Sequence, residues 1–409
     1  MRAFAPLREP IFARLWSGLA IFTTGDELYR VALVWLAVEL VGRQAGYLGA
    51  VQSSCMLLGA IFGGRLADAI NQRRAMSILL ATGAVAVLIP PIAWDLGHAS
   101  FWALLVPAVW IALMRAQFEP GVQSSLPILV PDRDTLFAAN GLIDGVRRMA
   151  RISGPMLAAA LALAMPVHEL FYFYALALLI ASFMLLRVGA MLPAREGRSD
   201  GGFLVGLRIV RADRTLRRIL TLKCCTDGLW VVVIGFGLPL VVEQRDAAWA
   251  GLAGVGAYGT GLAAYGIANI LSSILVGSLK PSLEPGRMFA GNVVMGIGLA
   301  CVGAGAMFAS DALLLPAMYA GLALAALGPP FFDVPLALRI QLAGGPAAPR
   351  AAVASVHRVR IVSAFGGIVV AGLVSPTLFG VLGTGPTMAA AGVACATASL
   401  AMRWRVARG

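Results

Sequence analysis

Between residues 12 and 403 the chain repeatedly runs for about 20 residues or more with few charges, the length a helix needs to cross the hydrocarbon of a bilayer. The breaks between these runs are short and polar. The runs are residues 12–40, 45–68, 75–94, 100–129, 136–165 and 168–188, then 216–243, 250–279, 287–308, 312–341, 351–380 and 384–403. Between the two sets lies a polar stretch, 189–215, with Pro193, Glu196, Arg198, Asp200 and a Gly201-Gly202 pair. Lipid offers no hydrogen bonds to a backbone, so segments of this length are expected to be helical. The expected fold is therefore all-α and integral to the membrane, with 12 transmembrane helices in two pseudo-symmetric six-helix bundles. The expected boundaries are an N-terminal bundle at 1–188, a cytoplasmic linker at 189–215 and a C-terminal bundle at 216–409. Composition agrees: only 13% of the residues are charged, against about 25% in soluble domains. No stretch reads as a separate water-soluble domain.

The net charge of +12 raises the question of nucleic acid, and the placement of the basic residues argues against it. They gather at Arg2, Arg8 and Arg14, at Arg65, Arg73 and Arg74, between Arg187 and Arg218, at Lys280 and Arg287, around Arg350, and at Arg403, Arg405 and Arg408. These are alternate loops, and the intervening ones hold Arg43 and Arg245 as their clear cations. Such an asymmetry places basic loops on the cytoplasmic side. Both termini and the linker are thus expected in the cytoplasm of a cell whose plasma or inner membrane holds the chain. The N-terminal apolar run continues to about Leu40 and contains Asp26 and Glu27, so it reads as a first span rather than a signal peptide. The five cysteines, Cys55, Cys224, Cys225, Cys301 and Cys395, show neither metal-ligand nor redox spacing. No metal and no cofactor are expected.

Offsetting one half against the other by 200 to 214 residues aligns polar features, as the halves of a duplicated transporter would. Thr24-Gly25-Asp26-Glu27-Leu28 faces Cys225-Thr226-Asp227-Gly228-Leu229. Phe118-Glu119-Pro120 echoes Phe332-Asp333-Val334-Pro335, and Arg147, Arg148 and Ser153 fall opposite His357, Arg358 and Ser363.

The loop after the second run reads Gly63-Gly64-Arg65-Leu66-Ala67-Asp68-Ala69-Ile70-Asn71-Gln72-Arg73-Arg74. It resembles the signature of the major facilitator superfamily at that loop, with Gly64, Asp68, Arg73 and Arg74 at the matching positions. The resemblance implies a cytoplasmic gate built on these four residues. Asn71 replaces the usual turn glycine, and asparagine also tolerates the left-handed conformation. The counterpart in the second half, Gly277-Ser278-Leu279-Lys280-Pro281 to Gly286-Arg287, lacks the acid. Phe118-Glu119-Pro120, Leu126-Pro127 to Pro131, Asn140-Gly141-Leu142 and Ser153-Gly154-Pro155 resemble the branch of this superfamily that holds the enterobactin exporter and the macrolide-efflux proteins. Arg115 stands where drug-exporting relatives keep an arginine, but Glu119 replaces their glycine.

Charges inside the spans are the candidate functional residues, because a charge at a helix centre costs about 2.5–3.5 kcal/mol on insertion scales. In the first span, Asp26 and Arg30 have i,i+4 spacing and Glu27 and Arg30 have i,i+3 spacing. Arg115 and Glu119 repeat the i,i+4 spacing in the fourth span, ahead of Pro120. Asn140, Asp144, Arg147, Arg148 and Arg151 share one face of the fifth span, which must meet protein or water unless its arginines reach lipid phosphate from the helix end. The residues expected to couple protons or line the solute cavity are Asp26, Glu27, Arg30, Arg115, Glu119, Asp144, Arg148, Asp227, Asp333 and Arg358.

These features, with the resemblance, imply a proton-coupled secondary active exporter working by alternating access on a small amphipathic molecule. A siderophore is favoured because cationic groups suit hydroxamates, carboxylates or catecholates. Multidrug or macrolide efflux is the alternative, and an importer is a further one. An intramembrane enzyme is disfavoured, because His98, His168 and His357 lie in distant segments without partners at ligand spacing. A receptor or scaffold would leave the charged inner faces unexplained. The expected partners are the lipid bilayer, the small-molecule solute and protons, with no nucleic acid, and the chain is expected to act as a monomer.

Overall fold

The computed structural model describes residues 6–67, 72–129, 133–187, 203–279, 284–341 and 350–407. Each of the expected apolar runs is mostly helical within these residues. The helices are α1 (Pro10–Val41), α2 (Ala45–Ala67), α3 (Gln72–Val87), α4 (Ile89–Asp95), α5 (Phe101–Leu129), α6 (Arg133–Leu161), α7 (Leu170–Arg187), α8 (Phe203–Ala212), α9 (Arg214–Trp230) and α10 (Leu238–Gln244). They continue as α11 (Gly254–Ser278), α12 (Pro285–Phe308), α13 (Asp311–Leu327), α14 (Pro329–Gln341), α15 (Arg350–Leu382) and α16 (Thr384–Ala407). Among the described residues, nine helical stretches are long and apolar enough to cross a membrane, and one of them, Pro10–Phe62, runs through two expected spans.

Three expected spans are interrupted, each for a local reason. Pro90 and Pro91 open α4 directly after α3, because proline lacks the donor that a continuing helix needs. Pro329 and Pro330 separate α13 from α14 at Gly328 in the same way. Between α9 and α10 the chain widens into a π-helical turn, Val231–Gly237, just before Pro239. The run expected at 250–279 starts later, at Gly254. Ahead of it, the two-residue strands β1 (Ala248–Trp249) and β2 (Leu252–Ala253) form an antiparallel hairpin. Ala250 and Gly251 turn it with φ of 53° and 79°, the positive values that a two-residue hairpin requires.

The chain divides into two compact units, one of residues Met1–Leu40 and Phe62–Arg198, the other of Val41–Ile61 and Ser199–Gly409. In the first, the Ser182 hydroxyl donates to the Ser77 carbonyl at 2.9 Å and joins α7 to α3, and the Trp16 indole donates to the Leu142 carbonyl at 3.3 Å and joins α1 to α6. In the second, α12 lies against α16 and α13 through small residues: Gly296 meets Ala396, Gly303 meets Ala389, and Gly298 meets Ala325. Helices in lipid gain little from apolar burial against one another, so close backbone approach through small residues holds them. The core of this unit, built on Leu216, Ile219, Phe289, Phe332, Leu336 and Val356, lies beside the charged cluster described next.

Candidate functional site

Each unit holds a charged cluster, buried in the first and half-buried in the second. In the first, Asp26 sits on α1 with only 5% of its surface exposed. Gly25 beside it lets α7 come close, since a Cβ there would stand 2.8 Å from that of Ala177. That approach brings in Tyr174, one turn earlier on α7, whose hydroxyl donates to Asp26 Oδ1 at 3.0 Å. Arg115 of α5 reaches the other oxygen, with Nη1 to Oδ2 at 3.3 Å. The ring of Tyr29 stacks on Tyr174 with centroids 4.7 Å apart and meets Phe171 edge-on at 5.3 Å. The buried Tyr29 hydroxyl has no hydrogen-bond partner among the described residues.

In the second unit, α9 and α15 touch at Gly228 and Gly367, where a Cβ on Gly367 would collide with the carbonyl of Cys224. The contact seats Lys223 and Asp227 of α9 beside Arg360, two turns before Gly367 on α15. Lys223 Nζ donates to Asp227 Oδ1 at 2.8 Å and stands 3.1 Å from Asp333 Oδ1 on α14. Arg360 Nη2 approaches the same Asp333 oxygen at 3.9 Å. The ammonium also lies 5.9 Å from the centre of the Phe332 ring. Two cations and two carboxylates from three helices thus share one half-buried pocket of charge, and Asp333 is its most open member, with 37% of its side chain exposed.

The pairings follow the sequence spacing only in part. Arg30 engages Glu27, at 3.0 and 3.2 Å to its two oxygens, and leaves Asp26 to Arg115. The helix turns Asp26 inward while the Arg30 side chain is 46% exposed. Arg115, expected to pair along its own helix with Glu119, reaches across to α1 instead, and the Glu119 side chain lies outside the described residues. Asp144 and Arg148 pair at 2.7 Å on α6, with 60% of the Asp144 side chain exposed. Arg358 is half-buried on α15, and Arg360, two residues on, brings a guanidinium to 3.9 Å from Asp333. Of the expected gate, Gly64 lies on α2 and Arg73 and Arg74 open α3, while Asp68 and the side chains of Arg73 and Arg74 lie outside the described residues. The five cysteines are free thiols. Among the described residues, no group of three or more His, Cys, Asp or Glu is placed to hold a metal ion.

Lys223, Arg360, Tyr174 and Tyr29 were not anticipated. Lys223 had a legible signal, its i,i+4 spacing to Asp227. Tyr174 had none, being 148 residues from its partner.

A family model described as Major Facilitator Superfamily matches residues 15–356. The chain belongs to that superfamily. It is a multi-pass membrane transporter of small molecules and not an enzyme. No curated protein matches this superfamily member in sequence. Its fold is similar to that of the POT family transporter PepTSo, with a TM-score of 0.77 at 13% identity over 97% of this chain and 98% of that one. A bacterial homologue of the iron transporter ferroportin gives 0.70 at 14% identity over 96% and 98%. A bacterial homologue of the human lysosomal transporter Spinster gives 0.70 at 16% identity over 98% of each chain. At these identities the likeness concerns the fold alone.

Proposed function

We propose that this transporter is a proton-coupled exporter working by alternating access, with halves at 1–188 and 216–409 joined by a cytoplasmic linker and both termini inside. We place it in a bacterial inner membrane and favour a siderophore as its solute. The observation that carries the coupling is Asp26, a buried carboxylate on a membrane helix with one oxygen on Arg115 and the other on Tyr174. A carboxylate so placed alternates between a charged state held by the guanidinium and a neutral, protonated state that releases it. Such a change of partner is a two-state element that a proton gradient can bias. The second unit repeats the theme: its paired acid, Asp227, stands on the first spanning helix of its half, as Asp26 does.

The test is secretion under iron limitation, profiled by mass spectrometry of medium and cells for a deletion strain, the complemented strain and a strain carrying Asp26→Asn. Loss of an iron chelator from the medium with accumulation inside, restored by the wild type and not by Asp26→Asn, is the expected result. An unchanged chelator profile would remove the siderophore and direct the search to dyes and antibiotics. Full rescue by Asp26→Asn would remove Asp26 from the coupling.

A further inference from the structure

The second cluster differs from the first in carrying its own ammonium. Lys223 is 14% exposed, and its Nζ lies 2.8 Å from Asp227, 3.1 Å from Asp333 and 5.9 Å from the centre of the Phe332 ring. An ammonium has three donors and no acceptor, and here two carboxylates and an aromatic face take up its environment. Arg360 completes the balance at Asp333, giving two positive and two negative charges. A solute carrying a positive group would look for these half-buried carboxylates, because an acid within a membrane span pairs with a cation. It would find them occupied by a competitor that is tethered to α9 and loses little entropy in binding.

We propose that Lys223 is a specificity-determining residue: its ammonium fills the place a cationic solute would take, and so restricts this unit to anionic or neutral solutes. The inference rests on the transport reading above and deepens it, favouring acidic chelators over cationic drugs. Recognition here works by exclusion, in which a built-in repulsive charge rejects the wrong ligand. These four charges sum to zero, so removing Lys223 shifts the balance by one negative charge at a site opened by the exposure of Asp333.

The test uses a pair of probes with one shape and opposite charge, tetraphenylphosphonium and tetraphenylborate. Binding is measured by calorimetry on the full chain in nanodiscs, against empty discs. Lys223→Gln is expected to bind the phosphonium about tenfold or more tighter than wild type, the scale of one close charge pair, while its affinity for the borate does not rise. Lys223→Arg, which keeps the charge, is expected to behave as wild type. Lys223→Gln combined with Asp227→Asn and Asp333→Asn is expected to lose the gain. Where Lys223→Gln does not fold, Lys223→Met carries the same prediction. Equal phosphonium affinity in wild type and the neutral variant overturns the proposal, and so does an equal gain in Lys223→Arg. Equilibrium binding requires neither export nor protons, so failure of the exporter reading in the secretion test leaves this outcome separately readable.

Discussion

Asp26 is held by two groups of unequal importance. The Tyr174 hydroxyl contributes a hydrogen bond to a charge, worth about 1.5–3 kcal/mol, whereas Arg115 supplies the opposite charge without which a buried carboxylate is stranded. Arg115→Gln is therefore expected to destabilise the protein by about 3–5 kcal/mol, the cost of leaving one member of a buried pair uncompensated. Neutralising both members removes the stranded charge, so Asp26→Asn with Arg115→Gln should be more stable than Arg115→Gln alone. Thermal unfolding in detergent, followed by tryptophan fluorescence, measures the difference. Equal melting of the single and double variants would mean that Asp26 takes a proton, or is reached by water or another group, when Arg115 is gone. Arg30 and Glu27 give the contrast. Their pair is partly exposed, and its loss should shift melting little, since open ion pairs contribute about 0–1 kcal/mol.

At the scale of helices, the second cluster depends on how closely α9 and α15 approach. Gly367 has the Cys224 carbonyl where a side chain would begin, and Gly228 has the Gly367 carbonyl 2.5 Å from where its own would begin. Backbone, unlike the end of a flexible side chain, cannot swing aside, so Gly367→Ala must push the helices apart. The expected loss is about 1–3 kcal/mol, the usual cost of overpacking, together with a weaker hold of Arg360 on Asp333. Unfolding measurements check the first effect. Gly141 makes a matched control, because a Cβ there meets nothing within 4 Å. A drop in Gly141→Ala as large as that in Gly367→Ala would show that the close approach is not the cause. This contact also marks the limit of what the sequence discloses. Apolar length located the helical segments, and prolines 90, 91, 329 and 330 explain two of the breaks once they are seen. Pairings within one helix turn, such as Glu27 with Arg30, were legible from spacing. Pairings between helices were not: Asp26 with Arg115 and Asp333 with Lys223 depend on helix rotation and on which glycines face a neighbour, and a single chain's periodicity does not encode these.

For the whole molecule, the distribution of charge makes the strongest remaining claim, because membrane insertion reads it directly. Arginine and lysine near the ends of spans bias a loop towards the cytoplasm, and acids count for little in that choice. Arg208, Arg211, Arg214, Arg217 and Arg218 lie on α8 and the first turns of α9, with Asp213 serving as the cap of α9 through its bonds to the amides of Thr215 and Leu216. The hairpin at 248–253, by contrast, is reached after a single nearby cation, Arg245, which is bound to Asp311 at 2.5 Å. Reporter fusions after residues 70, 200 and 409 are accordingly expected to report cytoplasm, and fusions after 97 and 251 the opposite side. An outside signal at residue 200 would break the arrangement of six spans on either side of a cytoplasmic linker. It would also put the arginines of α8 and α9 on the side where insertion disfavours them. The same map bears on coupling. On the expected topology Asp26 and Asp227 each follow a cytoplasmic end by a similar stretch of helix, so a map that placed the two halves in opposite orientations would rule out equivalent coupling roles for these two acids.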